Sequence, residues 1–376
     1  MNWYQSLALG TLILLGGCVE YDIVGGRRVP PPGRQPTELW PNTVTDEFEQ
    51  RPALASDILF VIDDSISMEE EQTNLSTNFH AFGQFLFGSD IDYHIGVVRG
   101  DLSSTNPDYP DYGKLTGSPP YVDPNTPNGP SVVTSTVDNL GDAGNGVCES
   151  GMEATYLALT EPMITGPNAG FYRGDAMLTV VIITDENDQT DFGFCDLTLP
   201  DTLDWAQWYT NLKFRPELVN LGIIAGFDPA DNQTPTSCSS VGLGDASSAA
   251  AYAEAADAVP NSMTWSICNP DWTAVLIDLG IAAAGLTREF SLSRVPAWDY
   301  GDWDADGITD EPVLEVWLDR QDGVGFVYLE PLWSAVPDED NPWDYNRVTN
   351  SVVFTVETMP DENWVLKALY PNSEEG

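Results

Sequence analysis

Residues 57–67 read Asp57-Ile58-Leu59-Phe60-Val61-Ile62-Asp63-Asp64-Ser65-Ile66-Ser67. The unbroken apolar run 58–62 predicts a strand buried on both faces, as in a parallel sheet covered by helices. The run empties into a turn of two carboxylates and two hydroxyls. A hard divalent cation takes oxygen ligands in octahedral geometry and keeps some of its water. Ser65 and Ser67 can supply neutral direct ligands on one turn, and Asp63 can accept from metal-bound water. A cation with few direct carboxylates stays electrophilic and seeks an external one. The plainer possibility, that Asp63 and Asp64 only terminate a strand, leaves the two serines without a purpose.

Outward from this stretch, strands and helices alternate. Leu75, Phe79, Phe82 and Leu86 recur at helical spacing, and Glu69, Glu70 and Glu71 in the first turn suit a helix N-terminus. Strands are expected at 93–98, 178–184, 221–225, 264–267 and 289–292. Helices are expected at 149–159, 203–214, 246–258 and 273–284. Residues 101–146, crowded with Pro, Gly, Asn and Asp, read as loop. This order predicts an α/β fold with a doubly wound, mostly parallel sheet, in which ligands sit at the carboxyl ends of the strands. Beyond residue 296 helical periodicity fades. Candidate strands at 313–318, 325–329, 351–356 and 364–370 predict a small β-sandwich-like domain over 296–376.

The 376 residues carry 59 acids against 14 Lys and Arg, a formal net charge of −45. That balance excludes nucleic acid and anionic lipid as direct surface partners and suits divalent cations or basic partners. With only His80 and His94, counting argues against histidine metal sites and Ser–His–Asp catalysis. No nucleophile–base pair is evident, so a binding protein is expected rather than an enzyme.

The apolar run 7–15 is too short to span a bilayer and ends in Leu15-Gly16-Gly17-Cys18. It reads as a secretory signal segment over 1–17. Cys18 after two glycines resembles a bacterial lipobox, which implies diacylglycerol on Cys18 and an address in the cell envelope. No aspartate follows Cys18, which points to the outer membrane of a Gram-negative bacterium. Residues 18–55, with Pro30-Pro31-Pro32, read as an extended tether. Export leaves Cys148, Cys195, Cys238 and Cys268 as disulfide candidates, for which three pairings exist.

An apolar strand ending in D-x-S-x-S resembles the metal-ion-dependent adhesion site of von Willebrand factor type A domains, and the resemblance covers residues 56–295. It implies that Asp63, Ser65 and Ser67 hold Mg²⁺, Mn²⁺ or Ca²⁺. It also implies that an Asp or Glu from a protein ligand completes the coordination sphere. The family places an outer-shell aspartate after a later central strand, and Asp185 in Ile182-Ile183-Thr184-Asp185 matches it, followed by Glu186, Asp188 and Asp191. The third loop departs from the family pattern. No threonine precedes the helix in Cys148-Glu149-Ser150-Gly151, and Glu149 or Ser150 could substitute. A directly bound Glu149 would lower the ion's appetite for a ligand carboxylate and favour a purely stabilising metal. The layout is similar to exported type A lipoproteins of myxobacteria and their relatives. That resemblance implies the pairings Cys148–Cys195 and Cys238–Cys268. Dehalogenase-like phosphatases also place aspartates after a first strand, but they need a second Asp where Ser65 stands, so a metal-dependent hydrolase ranks last.

One further motif lies apart from the site. Asp302-Trp303-Asp304-Ala305-Asp306-Gly307-Ile308-Thr309-Asp310 resembles a calcium loop with alternate oxygens and a glycine at the tight turn. Val313 occupies the position of the expected bidentate glutamate. Asp302, Asp304, Asp306 and Asp310 are the candidate Ca²⁺ ligands.

Overall fold

The computed structural model describes residues 22–24, 27–29, 43–102, 112–140, 148–190, 204–240, 244–299, 311–333 and 340–371. Cys18, Cys195, Asp191, Asp302, Asp304, Asp306 and Asp310 lie outside the described residues. The chain divides into two units, one of residues 50–288 and one that joins residues 1–49 to 289–376.

The larger unit is built on a six-stranded sheet. Its strands are β1 (Ala55–Ile62), β2 (Asp92–Arg99), β3 (Tyr121–Val122), β4 (Met177–Ile183), β5 (Val219–Ala225) and β6 (Ser262–Ser266). Their order across the sheet is β6-β5-β4-β1-β2-β3. All pairings are parallel except that of β3 with β2. Helices α1 (Glu69–Gly83), α2 (Gly129–Asp138), α3 (Gly151–Ala158), α4 (Trp205–Thr210), α5 (Ala250–Ala258) and α6 (Thr273–Ala283) cover it.

Successive side chains of a strand point to opposite faces, and the core follows that rule. Ile58, Phe60 and Ile62 pack with Leu75, Phe79 and Phe82 of α1, Val133 and Val137 of α2, and Val275 and Leu279 of α6. Leu59 and Val61 pack with Ala154 of α3, Tyr209 of α4 and Tyr252 of α5. Both faces of β1 are therefore dry, which is why its sequence is continuously apolar. The Phe60 ring meets Phe79 and Phe82 edge-on at 5.6 and 5.1 Å. From β1 the chain first builds β2 on one side and later β4 on the other. The order reverses at the β1/β4 pair, and a crevice opens beyond their carboxyl ends.

The start of β1 is held by charge. Asp57 is fully buried and accepts from the Arg173 backbone N at 2.6 Å and Nε at 2.8 Å. Burial pushes its carboxyl above the ordinary range, and Arg173 opposes that rise. This pairing lies at the opposite end of β1 from the serine turn.

The structure departs from the sequence reading in four places. The expected loop 101–146 contains β3 and α2. Within 246–258 the helix begins at Ala250, and Asp245–Ala246 pairs instead with Cys238–Ser239. Strand Glu289–Ser291 does not join the parallel sheet; it pairs antiparallel with Ser351–Phe354 in the smaller unit. Thr43–Glu49, read as tether, is a strand paired with Val365–Pro371.

The smaller unit has a four-stranded antiparallel sheet, ordered Val327–Leu329, Glu315–Asp319, Val365–Pro371 and Thr43–Glu49, and a three-stranded one, ordered Glu289–Ser291, Ser351–Phe354 and Trp343–Asn346. One cluster unites both, with Phe290, Trp343, Val352 and Phe354 against Val316, Leu318, Leu366 and Tyr370. Two short strand pairs, Asp22–Val24 with Arg27–Val29 and Trp298–Asp299 with Glu311–Pro312, complete it.

Candidate functional site

The turn after β1 lies at the fold's switch point. The Asp63 backbone N donates to the Ile183 carbonyl at 2.9 Å, which ties the end of β1 to the end of β4. Asp63 is 1 % exposed. Its Oδ1 accepts from the Ser65 backbone N at 2.9 Å, and its Oδ2 accepts from Thr184 Oγ1 at 2.7 Å. Gln72 of α1 donates to the Asp63 carbonyl at 3.1 Å. The carboxylate is thus fixed by its own turn and by the end of β4, and the Asp63 backbone by β4 and the first helix. Burial pushes its carboxyl up to about 7, with the Asp185 charge adding to the rise against the hydrogen bond from Ser65.

Ser65 is buried and Ser67 exposed, and their hydroxyl oxygens lie 3.0 Å apart. Burial pushes the Asp185 carboxyl up to about 6, and the nearby Ser67 side chain opposes that rise. The Asp185 carbonyl accepts from the Ser247 backbone N at 2.7 Å. Asp185 Oδ1 is buried without a hydrogen-bond partner, which in a native protein calls for an explanation such as an ion or water. The structure therefore brings Asp63, Ser65, Ser67 and Asp185 into one linked cluster at the ends of β1 and β4.

Glu149 is 5 % exposed and lines a depression together with Asp63, Ser150 and Thr184. Gln189 Nε2 donates to its Oε2 at 3.0 Å. Burial, then the charges of Asp63 and Asp185, push its carboxyl up to about 9. Ser150, the residue just before α3, is fully buried, and its hydroxyl has no hydrogen-bond partner. Both candidates for the third loop thus face the Asp63 depression. The start of α3 is pinned independently. Asp188 accepts from the Met152 N at 3.0 Å, and the Gly151 N donates to the Tyr252 hydroxyl at 3.1 Å. Asp188 is therefore a structural acid.

Two residues escaped the sequence reading. Glu71, placed by its position at a solvated helix start, is 1 % exposed, and its Oε2 has no hydrogen-bond partner. Burial pushes its carboxyl up to about 7, helped by Asp185, Glu70 and Asp63. Its three-glutamate context reads as dipole complement, and only the fold reveals the burial. Asp64, adjacent to Asp63, belongs to a different partner: Arg99 at the end of β2 donates directly to its Oδ2. Burial still pushes Asp64 up to about 6 despite Arg99.

The donor set can be tested against a cation on these grounds. Acids with raised proton affinity, an orphaned buried oxygen and two adjacent hydroxyls fit a hard divalent ion, which would replace the missing positive charge. Among the described residues no group of three or more His, Cys, Asp or Glu converges to hold a metal. The fit thus rests on the mixed set of two carboxylates and two hydroxyls, not on an all-carboxylate cage that includes Glu149.

Elsewhere, Cys238 and Cys268 form a disulfide, as expected from the resemblance. Cys148 is buried and disulfide-bonded, while Cys195 lies outside the described residues. His94 Nδ1 lies 2.8 Å from the Phe171 carbonyl, and His80 is exposed. Among the described residues no helix is long and apolar enough to cross a membrane.

No protein-family model matches the sequence, and no curated protein matches it significantly. Solved structures do align. Proximal thread matrix protein 1 from the mussel byssus matches at 12 % identity and a TM-score of 0.34, over 66 % of this chain and 52 % of that one. The pilus adhesin SpaC from Lactobacillus rhamnosus GG matches at 10 % identity and a TM-score of 0.38, over 89 % of this chain and 42 % of that one. The chain thus spans about half the length of the first and less than half of the second.

Proposed function

We propose that this chain is a von Willebrand type A-like binding protein of the cell envelope. In this reading Asp63, Ser65, Ser67 and Asp185 hold a divalent cation, Mg²⁺ foremost, and the cation captures a carboxylate from a partner protein. The carrying observation is the pair of hydroxyls 3.0 Å apart beside Asp63, with the buried Asp185 Oδ1 left without a hydrogen-bond partner. The mostly parallel sheet with its switch point at β1/β4 is consistent with that family. Ser65 and Ser67 would contact the ion directly, and Asp63 and Asp185 would accept from its waters. The reading is one of binding rather than of catalysis.

A lipid on Cys18 would hold the protein at the outer membrane, with the stretch from there to Thr43 as a spacer. The Asp302–Asp310 segment keeps its reading as a candidate calcium loop.

Isothermal titration with Mg²⁺, Mn²⁺ and Ca²⁺ tests the site. Wild type is expected to bind one ion per chain at the switch point. Ser65→Ala with Ser67→Ala is expected to lose that binding while the metal-free melting temperature stays nearly unchanged. Equal titrations of the two proteins would remove the site.

A specific observation favours a second reading. Glu149 feels both Asp63 and Asp185, so it could complete the sphere and leave the ion purely stabilising. In that case Mg²⁺ raises the melting temperature while no partner is retained in a Mg²⁺-dependent pulldown.

A further inference from the structure

The rim of the site has its own chemistry. Ile66 stands between Ser65 and Ser67 and is 60 % exposed, while Asp64, Ser65 and Met68 beside it are buried. A large aliphatic side chain held in water beside a polar cluster gains free energy when covered. Glu69 and Glu70, in the first turn of α1, are exposed, and Glu186, which follows Asp185, is half-buried. Arg99, the cation nearest the turn, is paired with Asp64. The segments that leave the serine turn and Asp185 therefore both carry acids at the surface, and the turn itself is apolar at Ile66. The adjacent Asp185 oxygen Oδ1 is buried without a partner.

We infer that the segment this site captures carries one carboxylate set among Lys or Arg side chains, with an apolar residue next to it. The inference rests on the cation reading above and specifies the partner. A carboxylate is required to complete the ion's sphere. Acidic neighbours around that carboxylate would meet Glu69, Glu70 and Glu186 and be repelled, whereas basic neighbours pair with them. The apolar neighbour covers Ile66. A purely basic segment satisfies the rim but offers nothing to the ion. Recognition thus needs all three features together.

The experiment uses the full chain and labelled synthetic peptides in fluorescence anisotropy, preceded by calorimetric Mg²⁺ titration. The probes are Lys-Lys-Leu-Asp-Lys-Lys, its Asn counterpart, its Gly-for-Leu counterpart, and Glu-Glu-Leu-Asp-Glu-Glu. The first peptide is expected to bind in Mg²⁺ and to be released by EDTA. The Asn and acid-flanked peptides are expected to bind at least about tenfold more weakly. Ile66→Ser is expected to weaken the first peptide several-fold and to abolish its advantage over the Gly peptide, with the Mg²⁺ titration unchanged. Glu69→Gln with Glu70→Gln is expected to weaken it and to flatten its salt dependence.

Equal binding of the Asn peptide, equal binding of the acid-flanked peptide, or an unaltered Ile66→Ser variant overturns the inference while the cation site stands. Absence of Mg²⁺ binding in the first titration overturns the cation reading itself, and this inference with it.

Discussion

At the scale of single residues, the turn after β1 concentrates acids that the fold keeps out of water. Glu149 makes the consequence measurable. Its carboxyl is pushed from 4.5 to about 9 by burial and by Asp63 and Asp185. Between those two values the folded protein retains a proton that the unfolded chain has released. Stability of the metal-free protein therefore falls as pH rises through that window. Melting curves in EDTA are expected to shift downward from about pH 5 to about pH 8, and the shift is expected to be smaller in Glu149→Gln. Saturating Mg²⁺ is expected to shrink the wild-type shift, because a bound cation favours the ionised form of the acids around it. A Glu149→Gln protein that tracks wild type across the range would show that Glu149 does not titrate with the site. Asp63, Ser65, Ser67 and Asp185 were legible from sequence because their pattern is local: each follows a continuous apolar strand by one to five residues. The burial of Glu71 and the pairing of Asp64 with Arg99 were not legible, since both depend on segments brought together only by the sheet.

At the scale of elements, the helices sit close enough for backbone to matter. A Cβ placed on Gly280 of α6 would stand 2.3 Å from the Phe82 carbonyl oxygen of α1. That neighbour is backbone, so relief requires the two helices to move apart. Gly280→Ala is expected to cost about 1–3 kcal/mol, an overpacking penalty read by urea denaturation. Since α1 follows directly from the serine turn, the same variant is expected to weaken Mg²⁺ binding as well. A variant as stable as wild type would mean that the α1–α6 contact is looser than the structure has it. The same scale explains what the sequence hid. Helix α2 begins with Asn128 at a left-handed φ of 54°, then Gly129 and Pro130, residues that read as a turn, although Val133, Val137 and Leu140 follow at helical spacing and are buried. Strand Thr43–Glu49 turns only Val44 and Phe48 inward as apolar groups. Its third inward residue, Asp46, is satisfied by Tyr370, 324 positions away, at 2.5 Å and by the Ser293 N at 2.8 Å. Pairing with so distant a strand leaves no local trace. By contrast β1 and β4 were plain, because burial on both faces imposes an unbroken apolar run.

At the scale of the whole molecule, a net charge of −45 sets up self-repulsion that opposes compaction. Added NaCl screens it over a Debye length of about 10 Å at 0.1 M. The melting temperature is expected to rise as NaCl is raised from low to moderate concentration, even with the acidic site left metal-free by EDTA. A flat response would mean that the acids are spaced widely enough not to oppose one another. The interleaving of the two units carries a mechanical consequence. The chain passes from strand Thr43–Glu49 of the smaller unit into β1, and β1 ends at Asp63. If the proposed anchor upstream of Thr43 and the proposed ligand at Asp63 were pulled apart, the load would enter the two units through these two extended strands. Each of these strands is clamped sideways by ladders, seven residue pairs in the first case and pairings on both flanks in the second. Such a pull need not pass through any helix, so the grip could be loaded without unravelling the body that forms it.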